Sequence, residues 1–585
     1  MIYNRSGVVL FVVVIVVALV SLAAYSFSIL MRTELYAARL HGDQMQSRSM
    51  SASGLSYVNS WAESPRSERD SIGGLNVNEA LFRNVLVDGY VDPYRPGLFS
   101  VVRPAINNDG MAEIDRFSAA TEGSPGLAPL TFGVVNESGK LHLQTVLEWE
   151  NANPGAGRTA LLAIPGVTES VADAILDWID EDAEVREFGA EDEYYQSLNP
   201  PRQSANRVPA SLEHLLQIRG VTSELLFGFD RNRNFTIEAF ERPQMAADFT
   251  SRSRENLPGG AGVDMNTESN AAGVSSFDPV PQQTNPSDLG EPIPEPLSRY
   301  LTVTSAERNV DYFGRPRLFL NGLNLVTLHR DLESAFGEEV ANFIVAIRRA
   351  GIYQGSKATS GRSLSSLKSS GNASFEIPDL ALLADATVAI DVDGKEAVFE
   401  SPWRSGGQSA DAPSFAEFCD RVTVQDSRVL IGRVCVNIAP REVLMAIPEL
   451  TADQVDQIIV NRENNALGSQ QSNVSRVHSY WLVDEDIFDV KTFERVSRFL
   501  TTGGDVFGAQ IVGYYMDDSP SHRIEVIVDG TDRCSRPVYY ADLTRYGRGF
   551  MLDQLAPPTA DLPNAAATQN PSTNGIVPGP VAMGQ

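Results

Sequence analysis

The sequence predicts an α+β protein in which a long N-terminal helix and a small antiparallel sheet are interrupted by a large helical insertion. Three patterns carry that expectation. An uncharged run from Val8 to Leu30 flows into residues of helical spacing, a helix-turn-helix signature recurs through the middle, and strand-like runs return after residue 505.

With 585 residues and 43% hydrophobic content, the chain is long enough for several domains with sizeable cores. Its 75 acidic and 47 basic residues leave a net charge of −28, which argues against a protein that works by neutralising phosphates. Three cysteines, Cys419, Cys435 and Cys534, are too few for a zinc framework or a disulfide-dense fold. Outside the cytoplasm Cys419 and Cys435 are spaced for a bridge, and burial as thiols is equally open to them.

A polar leader, MIYNRSG, precedes 23 uncharged, mostly apolar residues, which as a helix extend ~35 Å against a hydrocarbon core of ~30 Å. That is long enough to span. Arg5 and the terminal amine lie before the segment and keep that end cytoplasmic. Ser21 with Ala23-Ala24 is a weak match to the small-residue site of a cleavable signal peptide. Beyond the span, Leu35, Ala38, Met45, Ala52, Leu55 and Val58 recur at roughly helical spacing, interrupted by Gly42 and Gly54. One helix from about Val8 to Trp61 follows, apolar all round at first and carrying a single buried stripe later.

Residues 66–150 hold short β-like runs, and in TFGVVNESGKLHLQTVLEW two alternating segments flank Ser138-Gly139, which predicts a hairpin. Gly133 to Lys140 imitates a phosphate loop, but five residues separate the glycines and Leu141 follows the lysine, so a turn is expected. From Thr159 the period becomes helical. Leu162, Ile164, Val167, Val171, Ile175 and Ile179 suit two helices about a Pro-Gly turn, with Thr168 as the cap of the second. The pattern echoes at LLQIRGVTSELL and again at VLMAIPELTADQVDQIIVNRE, at irregular intervals.

The layout that results is a leader at 1–7, a spanning segment at 8–30, its amphipathic continuation at 31–62 and the first part of the sheet domain at 63–150. A helical subdomain at 151–241 and a disordered linker at 242–297 follow. A second helical region occupies 298–500 with an internal loop at 356–375, then a β-meander at 501–552 and a disordered tail at 553–585, where six prolines come after Leu555.

The chemistry on offer is sparse. No G-x-S-x-G, H-E-x-x-H, C-x-x-C or Gly-rich nucleotide fingerprint is present, and nothing nominates an enzyme. The best ligand constellation is DRNRNFTIEAFE, where Asp230, Asn232, Asn234, Thr236, Glu238 and Glu241 fall at positions 1, 3, 5, 7, 9 and 12 of an EF-hand calcium loop. Position 6, normally glycine for the sharp turn, is Phe235. The ten carboxylates from Asp173 to Glu193, with one arginine among them, read as a solvated helix face and loop.

The leader with Arg5, Gly7 just before the apolar run and a helix entering a soluble domain without a break resemble a type IV prepilin signal. That resemblance implies cleavage after Gly7 by prepilin peptidase, leaving Val8 as an N-methylated terminus. Pilins of this kind usually carry Glu at the fifth mature position, which here is Val12. Minor pseudopilin K of type II secretion systems lacks that Glu, and DWIDEDAEVREFGAEDEYY, LLQIRGVTSELLFG, VCVNIAPREVLMAIPELTADQVDQII and DLTRYGRGF are similar to its segments in the same order.

The resemblance implies a pilin-like domain interrupted by two sterile-alpha-motif-like (SAM-like) subdomains. It also implies a structural, non-enzymatic role in capping or initiating a pseudopilus tip, and a single-pass inner-membrane protein with its bulk in the periplasm. Other minor pseudopilins, the major pseudopilin, prepilin peptidase and membrane lipid are the partners it implies, and calcium the ligand. A type IV pilus tip protein or adhesin differs only in the machine served. The I-P-G-V turn also resembles helix-hairpin-helix units that bind DNA, but Glu169, Asp173, Asp177 and Asp180 follow it and would repel phosphate, so no nucleic-acid partner is expected.

Overall fold

The computed structural model describes residues 6–88, 95–104, 130–237, 241, 295–352, 373–392, 395–404, 413–466, 476–517 and 519–555. Its first element is one unbroken helix, α1 (Ser6–Glu63), followed by the short α2 (Arg66–Ser71). The sheet is antiparallel throughout. Its path runs β1 (Val85–Asp88), β2 (Gly97–Pro104), β5 (Val506–Tyr515), β6 (His522–Asp529) and β7 (Arg536–Asp542), with β3 (Leu130–Phe132) on β2 and β4 (Val135–Asn136) on β5. The expected meander is therefore β5 to β7, and everything between Asn136 and Val506 is inserted between two paired strands.

α1 lies across β2, β5 and β6. Its buried stripe is Ser47, Met50, Ser51, Gly54, Val58 and Ala62, and this corrects the sequence reading: Leu35 and Met45 stand exposed, and of the residues expected inside only Val58 is fully buried. The reason is distance. A Cβ at Gly54 would sit 2.6 Å from the Ile511 methyl, and one at Gly513 would sit 2.3 Å from the Ser47 carbonyl oxygen, so helix and sheet approach where only small residues fit.

Among the described residues two apolar cores form. One lies between α1 and the sheet, with Phe99, Ile511, Tyr514 and Val526. The other runs from Leu141 to Leu500, and both helical regions, expected as separate subdomains, contribute to it. The predicted hairpin is not found: Leu143–Ala152 is a helix, α3, burying Leu143, Val146, Leu147 and Trp149 at three- and four-residue spacing, while Leu141–His142 pairs with Leu301–Thr302. Two expected boundaries also move. Leu297, placed in the linker, and Leu555, placed in the tail, are fully buried, whereas 242–294 and 556–585 lie outside the described residues.

Candidate functional site

From Val9 to Met31 the large apolar side chains of α1 stand exposed, Val12 among them, while the backbone at Gly7 and Val8 is already helical. By length and composition this half is able to cross a membrane.

The repeated signature folds three times alike. α4 (Ala156–Leu162) leads through Gly166, at φ +81°, into α5 (Glu169–Ile179), and Thr168 accepts from the Val171 N–H. In the second copy Gly220, also at φ +81°, precedes α6 (Ser223–Phe227), capped by Thr222 on the Leu225 N–H. The third joins α7 (Arg441–Met445) to α8 (Ala452–Ala466), where Thr451 and Gln454 form a reciprocal capping box and the left-handed position is Glu449 at φ +72°. In each, an N–H after the turn returns to an isoleucine carbonyl: Val167 to Ile164, Val221 to Ile218 and Leu450 to Ile447.

The acidic stretch beside the first copy is only in part the solvated face expected: Glu181, Asp182, Glu184, Glu187 and Glu193 are exposed. Asp173, Asp177, Asp180 and Glu191 are buried. Arg186 Nη1 donates to Asp177 Oδ1 at 2.7 Å and to Asp180 Oδ2 at 2.6 Å, and Arg158 Nε donates to Asp173 Oδ1 at 2.7 Å. Burial pushes Asp177, Asp180 and Glu191 above the usual carboxylate range, against the pull of Arg186 on the two aspartates. The arginine occupies the position a cation would take, so the cluster reads as an internal ion network.

The loop after α6 does gather oxygens. Asp230 accepts from the Asn234 and Phe235 N–H groups through its two carboxylate oxygens, Asn232 accepts from Asn234, Asn234 accepts from Thr236, and Glu241 Oε1 accepts from the Arg231 and Asn232 N–H groups. Phe235 takes φ +65°, the left-handed turn that glycine supplies in the motif, and its ring packs on Phe550 at 5.6 Å. Phe235 thus adopts the conformation the sequence argument held against it, with its half-buried ring packed on Phe550. Glu238 lies outside the described residues. Burial, with the Glu241 charge adding and the two N–H donors opposing, raises Asp230 to about 6. Among the described residues no three acidic, histidine or cysteine side chains converge on a metal position. The loop's donors by sequence are three carboxylates, Asp230, Glu238 and Glu241, with the carboxamide and hydroxyl oxygens of Asn232, Asn234 and Thr236, an all-oxygen set that suits a hard cation. Cys419 and Cys435 are both buried free thiols.

Sequence reasoning missed the arginines that hold these elements. Arg523, in β6, is fully buried and donates to the Asn232 and Arg233 carbonyls. With Glu525 it lies on one face of β6, and that face is covered by the insertion.

The stretch containing the first two hairpins, residues 143–227, matches the family model described as type II secretion system (T2SS), protein K. This segment belongs to the protein K family. It begins where α3 begins, at the edge of the second core. Similar curated proteins are the putative type II secretion system protein K of Escherichia coli (strain K12), 43% identical over 60 residues, and the type II secretion system protein K of Aeromonas hydrophila, 46% identical over 56 residues. These stretches cover 10% and 9% of this chain and 18% and 17% of the two protein K relatives, so the match spans under a fifth of either relative's length.

Proposed function

We propose that the chain is a minor pseudopilin, a non-catalytic subunit that caps or initiates the pseudopilus tip of a type II protein secretion system. The observation that carries this reading is α1: an exposed apolar half continuous with a half packed on an antiparallel sheet, in a chain that also carries a protein K segment. The apolar half sits in the inner membrane as a single span, amino end cytoplasmic, and packs laterally with the equivalent helices of the major and other minor pseudopilins. Prepilin peptidase cuts after Gly7 and Val8 becomes the methylated terminus. The head holds a second core beyond the one between helix and sheet. A head of that bulk clashes if repeated along a tight filament, so a single copy at the end is favoured.

A clean deletion tests the role: pseudopili fail to initiate and folded substrates stay in the periplasm. Unchanged export refutes it. Sequencing the amino terminus of the mature protein tests the processing, with a start at Val8 expected.

In the same reading the loop formed by Asp230, Asn232, Asn234, Thr236, Glu238 and Glu241 binds calcium. Support comes from its all-oxygen donors and the left-handed Phe235, and calcium there would neutralise the buried carboxylates and fix the loop. Calorimetric titration of the full chain in detergent with Ca²⁺ measures it.

A further inference from the structure

A cavity of about 540 Å³ lies between the sheet and the insertion, a size suited to a small organic ligand. Apolar side chains dominate its walls: Phe227, Phe229, Phe235 and Ile438 from the insertion, Val102 from β2 and Val526 from β6. Several charged groups in the walls carry their own partners. Lys140 Nζ lies 2.9 Å from Glu137 Oε1, Arg299 Nη1 lies 2.8 Å from Glu295 Oε2, and Arg233 pairs with Glu525. Arg103, near the end of β2 and also in the wall, is different. Only 9% exposed, it donates through Nη1 to the Asn76 and Val134 carbonyls at 2.9 and 3.0 Å, while its Nε has no partner. Among the described residues no carboxylate pairs with it, and burial, with nothing opposing, pulls the guanidinium down to about 10. A buried charge without a counter-charge is costly, and its place in a cavity wall is where a ligand could supply one.

We infer that this cavity binds a small apolar carboxylate, its hydrocarbon body among the phenylalanine rings and its single negative charge matched to Arg103. The charges around the cavity select that class. A cationic ligand would set a second positive charge beside one already unmatched. A dianion such as a phosphate monoester would turn its further charge on Glu137, Glu213 and Glu525, which line the same space. A neutral apolar molecule fills the volume but leaves Arg103 without a counter-charge. One negative charge on an apolar body meets both features of the site, and the secretion role and the calcium loop are not needed for it.

The test is calorimetric titration of the full chain in a neutral detergent with octanoate, octanamide and octylammonium, each corrected by titration into detergent alone. Octanoate is expected to saturate at one per chain and to bind on the order of tenfold more tightly than the other two. Hydrogen exchange locates it, with slowing expected at 100–104, 133–140 and 296–304. Arg103→Gln, which keeps a donor for the two carbonyls and removes the charge, is expected to lower octanoate to the affinity of octanamide. Octanoate that binds no better than octanamide, or gives no saturable heat above the detergent blank, overturns the inference. Protection confined to other parts of the chain, or a carboxylate preference that survives in Arg103→Gln, overturns it as well. Should Arg103→Gln fail to fold, the three head groups and the exchange pattern on the wild-type chain decide.

Discussion

Asp505 Oδ1 lies 2.6 Å from Arg69 Nη2 in a fully enclosed ion pair at the root of the head. The same oxygen accepts from Arg308 at 3.0 Å, and Arg308 also caps the end of α1 by donating to the Glu63 and Ser64 carbonyls at 2.9 and 3.0 Å. Asp505 stands where the chain re-enters the sheet, so stalk, insertion and sheet meet at one carboxylate.

Replacing Asp505 by Asn leaves the buried Arg69 and the partly buried Arg308 without their counter-charge, and a loss of about 3–5 kcal/mol is expected in denaturant unfolding of the full chain. Burial pushes the Asp505 carboxyl up, but the two guanidiniums outweigh that and hold it below its ordinary value. A depressed folded pKa stabilises above the unfolded value of about 3.9 and loses that stability as pH falls further. Wild-type stability should therefore drop more steeply below about pH 4 than that of the Asn variant, read from unfolding midpoints against pH.

Gly54→Ala sets two effects against each other. Helix propensity favours alanine by about 1 kcal/mol. The new Cβ would stand 2.6 Å from Ile511 and 2.9 Å from Phe99, an overpacking that costs about 1–3 kcal/mol. A net loss of Tm is expected, larger for Gly54→Val, and an equal or higher Tm would show that the helix shifts freely on the sheet.

Glu449 occupies in the third hairpin the left-handed position that Gly166 and Gly220 fill in the other two. Its ion pair with Arg495, 2.9 Å long, is half exposed on both sides and contributes little. Glu449→Gly should stabilise the chain by about 0.5–1 kcal/mol, because relief of backbone strain exceeds the lost pair. Chemical denaturation reads the difference.

Calcium at a hundredfold excess over its Kd should raise unfolding stability by about 2.7 kcal/mol. Asp230→Asn and Glu241→Gln should abolish that increment while leaving the chelated protein folded. A calcium-dependent shift that survives in both variants would place the ion elsewhere.

The periodic parts of the fold were legible. Twenty-three uncharged residues, three I-x-x-[VL]-T turns and the alternation of β5 to β7 each declare an element locally. What was hidden depends on surroundings. Size-weighted periodicity pointed to Leu35 and Met45, but a helix pressed this closely on a sheet buries Ser47, Ser51 and Gly54 instead. Leu141 to Trp149 alternates for a few residues, and the helix is set by where Val146 and Trp149 find the second core. Asp177 and Asp180 read as solvated because their counter-ion, Arg186, lies beyond a turn whose path the sequence does not reveal. In the candidate loop the oxygen spacing was legible, whereas the conformation of Phe235 and the grip of Arg523 belong to long-range packing.

Asn136 and Phe507 face each other as partners in β4 and β5, so the insertion leaves and re-enters the sheet at strands about 5 Å apart. The chain crosses there, while the Arg523 and Arg308 contacts hold the inserted bulk against sheet and stalk. The strand order is complete without it, so descendants of such a chain can enlarge, trim or exchange that cargo while the packing of α1 on the sheet is kept.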